Sequence, residues 1–308
     1  VEWYKMLSRR NALIGLGFLS ILFLGDRLLA NLARNLFELS SAPVAQLYSD
    51  RGTAEILILG NSRAYHHFFD QEWSRETGRD VKSYALPGAS MELMEAFLKD
   101  YIDRYGPPLA VIVEPSNLIV GNEQIPNLKM LSTFSTRIDA LLWRDFGRDS
   151  VAGRLMNLYR YNSTGYLNVL HKIVTKYQQP HLYGQITEDK LRRVEENTGA
   201  PRFLSEPRNI ESLHRIAVLA DQHGINLTLA TTPVLAAYLT SPNEMPRWLD
   251  EIRNVLLPGQ PMHDFSGAII DVSLFYDAAH LNEAGTRRLF DIMLEDSFFQ
   301  HLTSDSPT

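Results

Sequence analysis

Cysteine is missing from all 308 residues, which excludes disulfides, thiolate metal sites and a cysteine nucleophile. An excess of positive charge is missing as well, because 30 Lys and Arg residues stand against 36 Asp and Glu residues, a formal net charge of −6. A mildly acidic chain of this kind lacks the electrostatic footprint of a nucleic-acid-binding protein. Internal repeats and low-complexity tracts are also absent. The length allows one large α/β domain with an insertion, or two small domains.

One long apolar run stands near the N-terminus, where the residues from Ala12 to Gly25 carry no charge. Three basic residues precede it: Lys5, Arg9 and Arg10. Fourteen helical residues span about 21 Å, less than the ~30 Å hydrocarbon core of a bilayer. The apolar pattern resumes after Asp26 and Arg27, so a helix over residues 11–33 is long enough to cross a membrane. We therefore predict a single-pass transmembrane anchor, with a cleaved signal peptide or a buried core helix as alternatives.

The basic residues on one side of this helix also predict its orientation. By the positive-inside rule, residues 1–10 are cytoplasmic, and the chain beyond a linker helix at 34–53 lies in the periplasm or outside the cell. Asp26 has two interpretations, because an acidic group in a membrane is costly unless it is paired. It is either an interfacial charge beside Arg27 or a polar contact to another membrane protein.

Beyond residue 53, short apolar runs alternate with segments of helical periodicity. Five runs have the character of buried parallel strands: 54–60, 81–86, 109–113, 226–232 and 268–272. Helices are predicted over residues 91–105, up to a stop at Gly224, and from a cap at Asn282 to about Leu294. This alternation predicts an α/β domain over residues 54–302, with a parallel sheet wrapped on both faces and a polar tail at 303–308.

The alternation is interrupted between about residues 118 and 207. This stretch is too long for a loop without secondary structure of its own, so we predict a largely helical insertion. It would lie near the carboxyl ends of the strands, where the ligand site of such a sheet is found, and could cover that site. Its tyrosines either pack internally or form a sugar-binding surface, and its arginines alternate with aspartates as on a solvated face.

Ser62 follows the first predicted strand directly, within Gly60-Asn61-Ser62-Arg63. This position is a strand-to-helix turn, where backbone N–H groups and the helix dipole favour a developing negative charge. Ser62 is therefore a candidate nucleophile, and the alternative is that it only caps the helix. The chain has no G-x-S-x-G sequence, so it does not carry the nucleophile elbow of the α/β-hydrolases.

A second polar motif, running from Asp277 through His280 to Asn282, follows the last predicted strand. An Asp and a His three residues apart, just before a capped helix, can both face a site at the strand ends. His280 would accept the proton of Ser62, and Asp277 would hold the other ring nitrogen. The alternative is a polar loop followed by a helix cap.

Two further residues are candidate oxyanion donors. Gly88 follows the second predicted strand, where its backbone N–H could point at an oxyanion, unless it is an ordinary turn glycine. Asn117 lies beyond the third predicted strand, and its side-chain amide could be another donor. His66 and His67 are adjacent on a predicted helix and point about 100° apart, which is wrong for chelation, so we predict neither a metal nor a cofactor.

Together these motifs resemble the four blocks of the SGNH (GDSL-type) hydrolase superfamily, over roughly residues 54–295 without the insertion. The resemblance implies a flavodoxin-like three-layer fold with a five-stranded parallel sheet. It also implies a set of site residues: catalytic Ser62, His280 and Asp277, with oxyanion donors from Ser62, Gly88 and Asn117. The chain departs from the family in two places, because GNSR stands where the first block has G-D-S, and the third-block G-x-N-D is absent.

An N-terminal anchor, a GNSR-like first block and a large insertion are similar to the membrane-anchored, acyltransferase-like branch of that superfamily. This branch includes alginate O-acetylation proteins and the D-alanyl transfer protein of teichoic acids. The resemblance implies an extracytoplasmic enzyme that moves an acyl group, for example acetyl, to a cell-envelope polysaccharide. It also implies a membrane-bound O-acyltransferase as the partner that donates the acyl group. Alternatives are a periplasmic esterase or deacetylase, and a non-catalytic, membrane-tethered subunit of a polysaccharide-modifying complex.

Overall fold

The computed structural model describes residues 9–178, 181–196, 201–296 and 298–303. Most of the predicted cytoplasmic segment 1–10 and of the predicted tail 303–308 lies outside these ranges. The chain forms two compact units, one of residues 1–49 and 125–176 and the other of residues 50–124 and 177–308. We call them the helical unit and the sheet unit. The predicted insertion is thus divided, since its central part belongs to the same unit as the N-terminal helix.

The elements within the described ranges are as follows. The α-helices are α1 Arg9–Leu39, α2 Pro43–Leu47, α3 Ser62–His67, α4 Asp70–Thr77, α5 Met91–Tyr105, α6 Thr136–Asp145, α7 Gly147–Leu155, α8 Thr164–Thr175, α9 Glu188–Glu195, α10 Pro207–His223, α11 Glu244–Arg253, α12 Glu283–Glu295 and α13 Phe298–Thr303. The strands are β1 Ile56–Leu59, β2 Val81–Ser83, β3 Ala110–Val113, β4 Asn226–Thr231 and β5 Met262–Asp264. Short 3-10 helices cover Pro115–Ile119, Ile125–Thr133, Asn157–Tyr161, Ala236–Tyr238 and Val272–Leu274.

The helical unit is organised around α1, which runs six residues beyond the predicted end of the anchor. Over Asn11–Leu39 this helix is long and apolar enough to span a membrane. Its second half packs within the unit, where the Phe37 ring stacks on Phe134 at 5.0 Å between ring centroids. The Tyr166 hydroxyl donates a hydrogen bond to the carbonyl of Ala33 at 2.9 Å. The first half of α1 is therefore exposed apolar surface, and one face of the second half, with Ala30, Ala33 and Phe37, is buried in the unit.

Asp26 finds its partners within the helical unit. Its two carboxylate oxygens accept the backbone N–H groups of Asn157 at 2.8 Å and Leu158 at 3.0 Å, and it also pairs with Arg27. These N–H groups belong to the first turn of a 3-10 helix and have no partner within that helix. Asp26 therefore attaches the Asn157–Tyr161 helix to α1, a role that neither sequence interpretation included.

The sheet unit contains a five-stranded, all-parallel sheet in the order β2-β1-β3-β4-β5. This confirms the predicted α/β parallel sheet, and the order 2-1-3-4-5 is that of flavodoxin-like folds. Leu59 of β1 is opposite Val113 of β3, which in turn is opposite Leu229 of β4. The carboxyl ends of these central strands therefore meet at one edge, where the polar residues that follow them converge.

Helices cover both faces of the sheet. Ile56 and Ile58 of β1 lie in a hydrophobic cluster with side chains from α3, α4, α12 and α13. Alternate residues such as Leu57 point to the opposite face, where α10 packs on α5 and β4. The predicted helix end at Gly224 is confirmed, since this residue is a left-handed C-cap with φ of 64°. The predicted cap at Asn282 is also confirmed, because its side chain accepts the N–H of Gly285.

The prediction of the fifth strand at residues 268–272 is wrong. The strand is Met262–Asp264, which pairs with the end of β4. The predicted segment is instead an irregular stretch that leads into a 3-10 helix from Val272, and in it Ile269 is buried and Ile270 is 85% exposed. The physical reason is that β5 is an edge strand with one neighbour, so it does not need the continuous apolar sequence that a central parallel strand needs.

Candidate active site

Three predicted residues come together at the carboxyl edge of the sheet. Nε2 of His280 lies 2.8 Å from Oγ of Ser62, and Nδ1 of His280 lies 2.9 and 3.0 Å from the two carboxylate oxygens of Asp277. Because Nδ1 faces a carboxylate, it carries the ring proton, and Nε2 is left to accept the hydroxyl proton of Ser62. The serine, the imidazole and the carboxylate thus form a continuous chain of hydrogen bonds.

The loop before α12 is built to hold His280. One carboxylate oxygen of Asp277 accepts the backbone N–H groups of Ala279 and His280, both at 2.9 Å, so the same carboxylate closes the turn and orients the ring. Burial acts to raise the pKa of Asp277, but the hydrogen bonds from the His280 ring and from these N–H groups outweigh it, and the pKa is lowered. Asp277 therefore stays ionised around neutral pH beside the ring that it positions.

Ser62 is the first residue of α3, but it is not the helix cap. The cap is Asn61, whose side-chain oxygen accepts the N–H of Arg63 at 3.0 Å and the hydroxyl of Ser116 at 2.9 Å. The hydroxyl of Ser62 is therefore left to bond to His280. The turn also needs Gly60, because a Cβ there would lie 2.6 Å from the Cβ of Ala64.

A buried ion pair lies directly beside the serine, and neither of its residues was a predicted site residue. Nε of Arg63 lies 3.7 Å from a carboxylate oxygen of Glu114, and both side chains are almost fully buried. The same Nε donates to the hydroxyl of Thr232 at 3.0 Å, and the guanidinium also donates to the Thr232 carbonyl. Burial raises the pKa of Glu114 even though Arg63 is beside it. The pair joins the residues that follow β1, β3 and β4.

His67 holds the loop that carries His280 through hydrogen bonds at both of its ring nitrogens. Its Nε2 accepts the backbone N–H of Leu281, the residue after His280, at 2.9 Å, and its Nδ1 lies 2.9 Å from the hydroxyl of Thr232. Burial, reinforced by the nearby His280 and Arg63, lowers the pKa of His67 well below its ordinary value. His67 is therefore a neutral ring that fixes the position of the loop. Within the described ranges, no group of three or more acidic or histidine side chains is arranged to hold a metal ion.

Gly88 occupies the third position of a tight turn after β2. The N–H of Ala89 donates to the carbonyl of Leu86, and Gly88 has φ of 71°, the geometry of a type II turn with Pro87 before the glycine. The turn lies beside the serine loop, because the N–H of Leu86 donates to the carbonyl of Gly60 at 3.1 Å. Within the described residues no hydrogen bond joins Gly88 to Ser62, His280 or Asp277, so its part in an oxyanion site stays a prediction.

Asn117 lies in the 3-10 helix that follows β3, and it is completely buried. Both polar atoms of its side chain lack a hydrogen-bond partner in the part of the chain that the structure describes. Its backbone is held by Asn209 of α10, whose side-chain nitrogen lies 3.3 Å from the carbonyl of Asn117 and 2.7 Å from that of Val120. A buried amide without partners is costly, and the part of Asn117 in an oxyanion site stays a prediction.

The polar site residues that were not predicted share one signal. Each lies within four residues of the end of a buried central strand: Arg63 after β1, Glu114 and Ser116 after β3, and Thr232 after β4. Because those strand ends meet at one edge, their polar followers were bound to be neighbours. Asn209 gives no such signal, since it lies within the first turn of a long amphipathic helix.

In comparisons with known proteins, no family model and no curated protein match the chain. The site is therefore interpreted from its geometry. A serine hydroxyl bonded to an imidazole that is itself bonded to a carboxylate is the arrangement that activates serine for nucleophilic attack on an acyl carbon.

Proposed function

We propose that the sheet unit is an SGNH-type, serine-dependent O-acyltransferase. It would act outside the cytoplasm and move an acyl group, for example acetyl, to a polysaccharide or other glycan of the cell envelope. The observation that carries this proposal is the 2.8 Å hydrogen bond between Ser62 and His280, with Asp277 behind the ring. The proposal is also supported by the parallel sheet in flavodoxin-like order, because the three hydrogen-bonded side chains lie at its carboxyl edge.

In the proposed first half-reaction, Oγ of Ser62 attacks the acyl carbon of the donor ester or thioester. Its proton passes to Nε2 of His280, and Asp277 stabilises the imidazolium that forms. The tetrahedral intermediate then collapses, the donor's alcohol or thiol leaves with the proton from His280, and the acyl group remains as an ester on Ser62. In the second half-reaction, a glycan hydroxyl gives its proton to His280 and attacks that ester. The bond between the acyl carbon and Oγ of Ser62 then breaks, His280 returns the proton to Oγ, and the glycan leaves with the acyl group.

The developing oxyanion needs donors, and Asn117 is the side chain that the structure supports best. It is buried, and its amide nitrogen is bonded to no other group within the described residues. The backbone N–H groups of Ser62 and Gly88 are the other proposed donors. Removing one such donor lowers the rate constant by about 10²–10³-fold in serine hydrolases.

The proposed setting is the outer face of a cytoplasmic membrane. The apolar helix α1 is the proposed single-pass anchor, with the positive N-terminal residues on the cytoplasmic side. A membrane-bound O-acyltransferase is the proposed donor of the acyl group.

The proposal is tested on the full-length protein in neutral detergent. A fluorophosphonate should label Ser62, and an aryl acetate mixed with oligosaccharide should yield acetylated sugar. Ser62→Ala should abolish both signals, while Ser205→Ala, a surface serine bonded to Glu251, should leave them unchanged. Free acetate without acetylated sugar would favour the esterase alternative. A folded protein that takes no label on Ser62 would favour the non-catalytic subunit.

A further inference from the structure

The helical unit contains a cavity of about 340 Å³ that the proposed chemistry does not use. Its polar lining includes three arginines and three neutral polar side chains: Arg27, Arg34, Arg160, Asn31, Asn157 and Tyr161. No carboxylate is among the lining residues, and the carboxylates of Asp26 and Glu38 pair with two of the three arginines from outside the lining. Its volume lies in the range of small-molecule sites, and it is large enough for a phosphate with part of its substituent.

The three guanidinium groups differ in their ion pairs and hydrogen bonds to other side chains. Arg27 pairs with Asp26, and Nε of Arg34 donates to Glu38 at 3.0 Å. Arg160 has no ion pair or hydrogen bond within the described ranges. Because a guanidinium carries five N–H groups in a planar fork, even the paired arginines keep donors for an anion. The set is therefore suited to an oxyanion with several acceptor oxygens.

The place of the cavity on α1 indicates where that oxyanion comes from. Arg27, Asn31 and Arg34 lie on one face of the helix, at spacings of four and three residues, while Leu28, Leu29 and Leu32 are exposed. Arg27 lies about 24 Å along the helix from Asn11, close to the ~30 Å thickness of the hydrocarbon core. If α1 crosses a bilayer as proposed, these arginines lie at the depth of the lipid headgroups.

The net charge of the helical unit agrees with this placement. On the cavity's side of the apolar run, residues 26–49 and 125–176 contain 10 Lys and Arg residues against 5 Asp and Glu, a net charge of +5 in a chain whose total is −6. A basic segment next to a membrane helix is attracted to anionic lipid headgroups. The attraction of this basic part and the cavity on one face of α1 would then act on the same lipid.

We propose that this cavity binds the phosphate group of an anionic membrane lipid. Arginine forks match phosphate oxygens in bidentate geometry, and the hydroxyl and amide side chains of the lining can supply further donors. The bound lipid would hold the base of the helical unit against the headgroup layer. This site is separate from the serine chemistry, and the proposal needs the membrane anchor but not the acyltransferase function.

The experiment measures lipid retention by the full-length protein in neutral detergent, using native mass spectrometry. Mixed micelles carry either phosphatidylglycerol or phosphatidylcholine, and a third arm contains inorganic phosphate alone. We expect preferential retention of phosphatidylglycerol and an about tenfold weaker affinity in Arg160→Gln, since a charge-assisted hydrogen bond is lost. The matched control is Arg154→Gln, which removes the same charge from a side chain that is paired with Asp139 and is not a lining residue.

A second pair of variants keeps the test independent of packing around Arg160. Asn31 and Asn35 are both exposed on α1, but only Asn31 lines the cavity. Asn31→Glu should abolish the preference for phosphatidylglycerol by placing a like charge in the site, while Asn35→Glu should leave it nearly intact. Equal losses in each variant and its control would overturn the site in favour of general electrostatic attraction. Inorganic phosphate bound as well as the lipid would overturn the lipid as its source. Unchanged fluorophosphonate labelling of Ser62 in all four variants keeps this outcome distinct from a failure of the proposed enzyme.

Discussion

The two units of this chain differ most in how they use charge. The helical unit has a net charge of +7, whereas the sheet unit has 17 basic residues against 30 acidic ones, a net charge of −13. In the sheet unit, buried polar groups such as Arg63 and Glu114 are bonded to one another around the serine. In the helical unit, arginines line a cavity beside an apolar helix. The modest total charge of the chain is therefore the sum of two units with opposite net charges.

The largest expected effect is that of Asp277→Asn, which should change the chemistry of the sheet unit and leave the helical unit unaffected. An amide at this position favours the wrong ring tautomer of His280, so we expect acyl transfer to fall by about 10⁴-fold. Measured rates of aryl acetate turnover and of fluorophosphonate labelling check it. Retention of phosphatidylglycerol should not change. A variant that keeps full turnover would remove the serine mechanism.

The second test compares buried and exposed arginines in the two units. Arg63→Met leaves Glu114 as an unpaired buried charge, so the free energy of unfolding should fall by about 3–5 kcal/mol. Arg154→Met in the helical unit breaks a half-exposed pair with Asp139 and should cost under about 1 kcal/mol. Urea denaturation of both variants measures the difference. The double variant Arg63→Met with Glu114→Leu should recover most of the loss, and equal costs in the two single variants would contradict the comparison.

The third test separates function from stability within the sheet unit. Asn117→Leu keeps the number and branching of the side-chain heavy atoms and removes two buried polar atoms without partners among the described residues. We expect acyl transfer to fall by about 10²–10³-fold, because an oxyanion donor is lost. The melting temperature should rise, since unpaired buried polar groups destabilise the fold. A fall in both quantities would show that Asn117 is structural.

The smallest expected effect concerns a buried acid away from the serine. Burial raises the pKa of Asp70 to about 6 from its ordinary value of 3.8. The folded state therefore holds a proton that the unfolded state releases, and this contribution to stability is complete below pH 3.8 and lost as the pH rises through 6. Asp70→Asn should stabilise the protein by about 2–3 kcal/mol above pH 6 and by little below pH 4. Denaturation at pH 4 and pH 8, with the exposed Asp291→Asn as control, measures this.

Local sequence patterns were sufficient for most of the fold. The apolar runs of β1, β3 and β4 became central parallel strands because a strand buried on both faces needs a nearly continuous apolar sequence. Gly224 and Asn282 ended and began their helices because a left-handed cap and a side-chain cap are chemical properties of those residues. The edge strand β2 was also predicted, since two of its three residues are buried, whereas none of the three residues of the edge strand β5 is buried.

The partners of buried polar groups lie too far away along the sequence to be read from it. Ser62 and His280 were expected to meet because each follows a strand of one parallel sheet, and their hydrogen bond is 2.8 Å in the structure. Arg63 and Thr232 also follow strands of that sheet, so the same argument could have paired them. Asn209 with the Asn117 segment and Asp26 with Asn157 gave no such signal, because each pair is joined only when distant segments pack.

Local sequence was enough to show which segments are apolar, which turns carry a serine, a histidine or an acid, and that one helix is long enough to span a membrane. These follow from short-range chemistry, in which side-chain periodicity and capping act over a few residues. The packing of distant segments was needed to show that the predicted insertion belongs largely with the N-terminal helix and that three arginines line one cavity. Such groupings depend on contacts between segments more than a hundred residues apart, and burial free energy selects them for the chain as a whole.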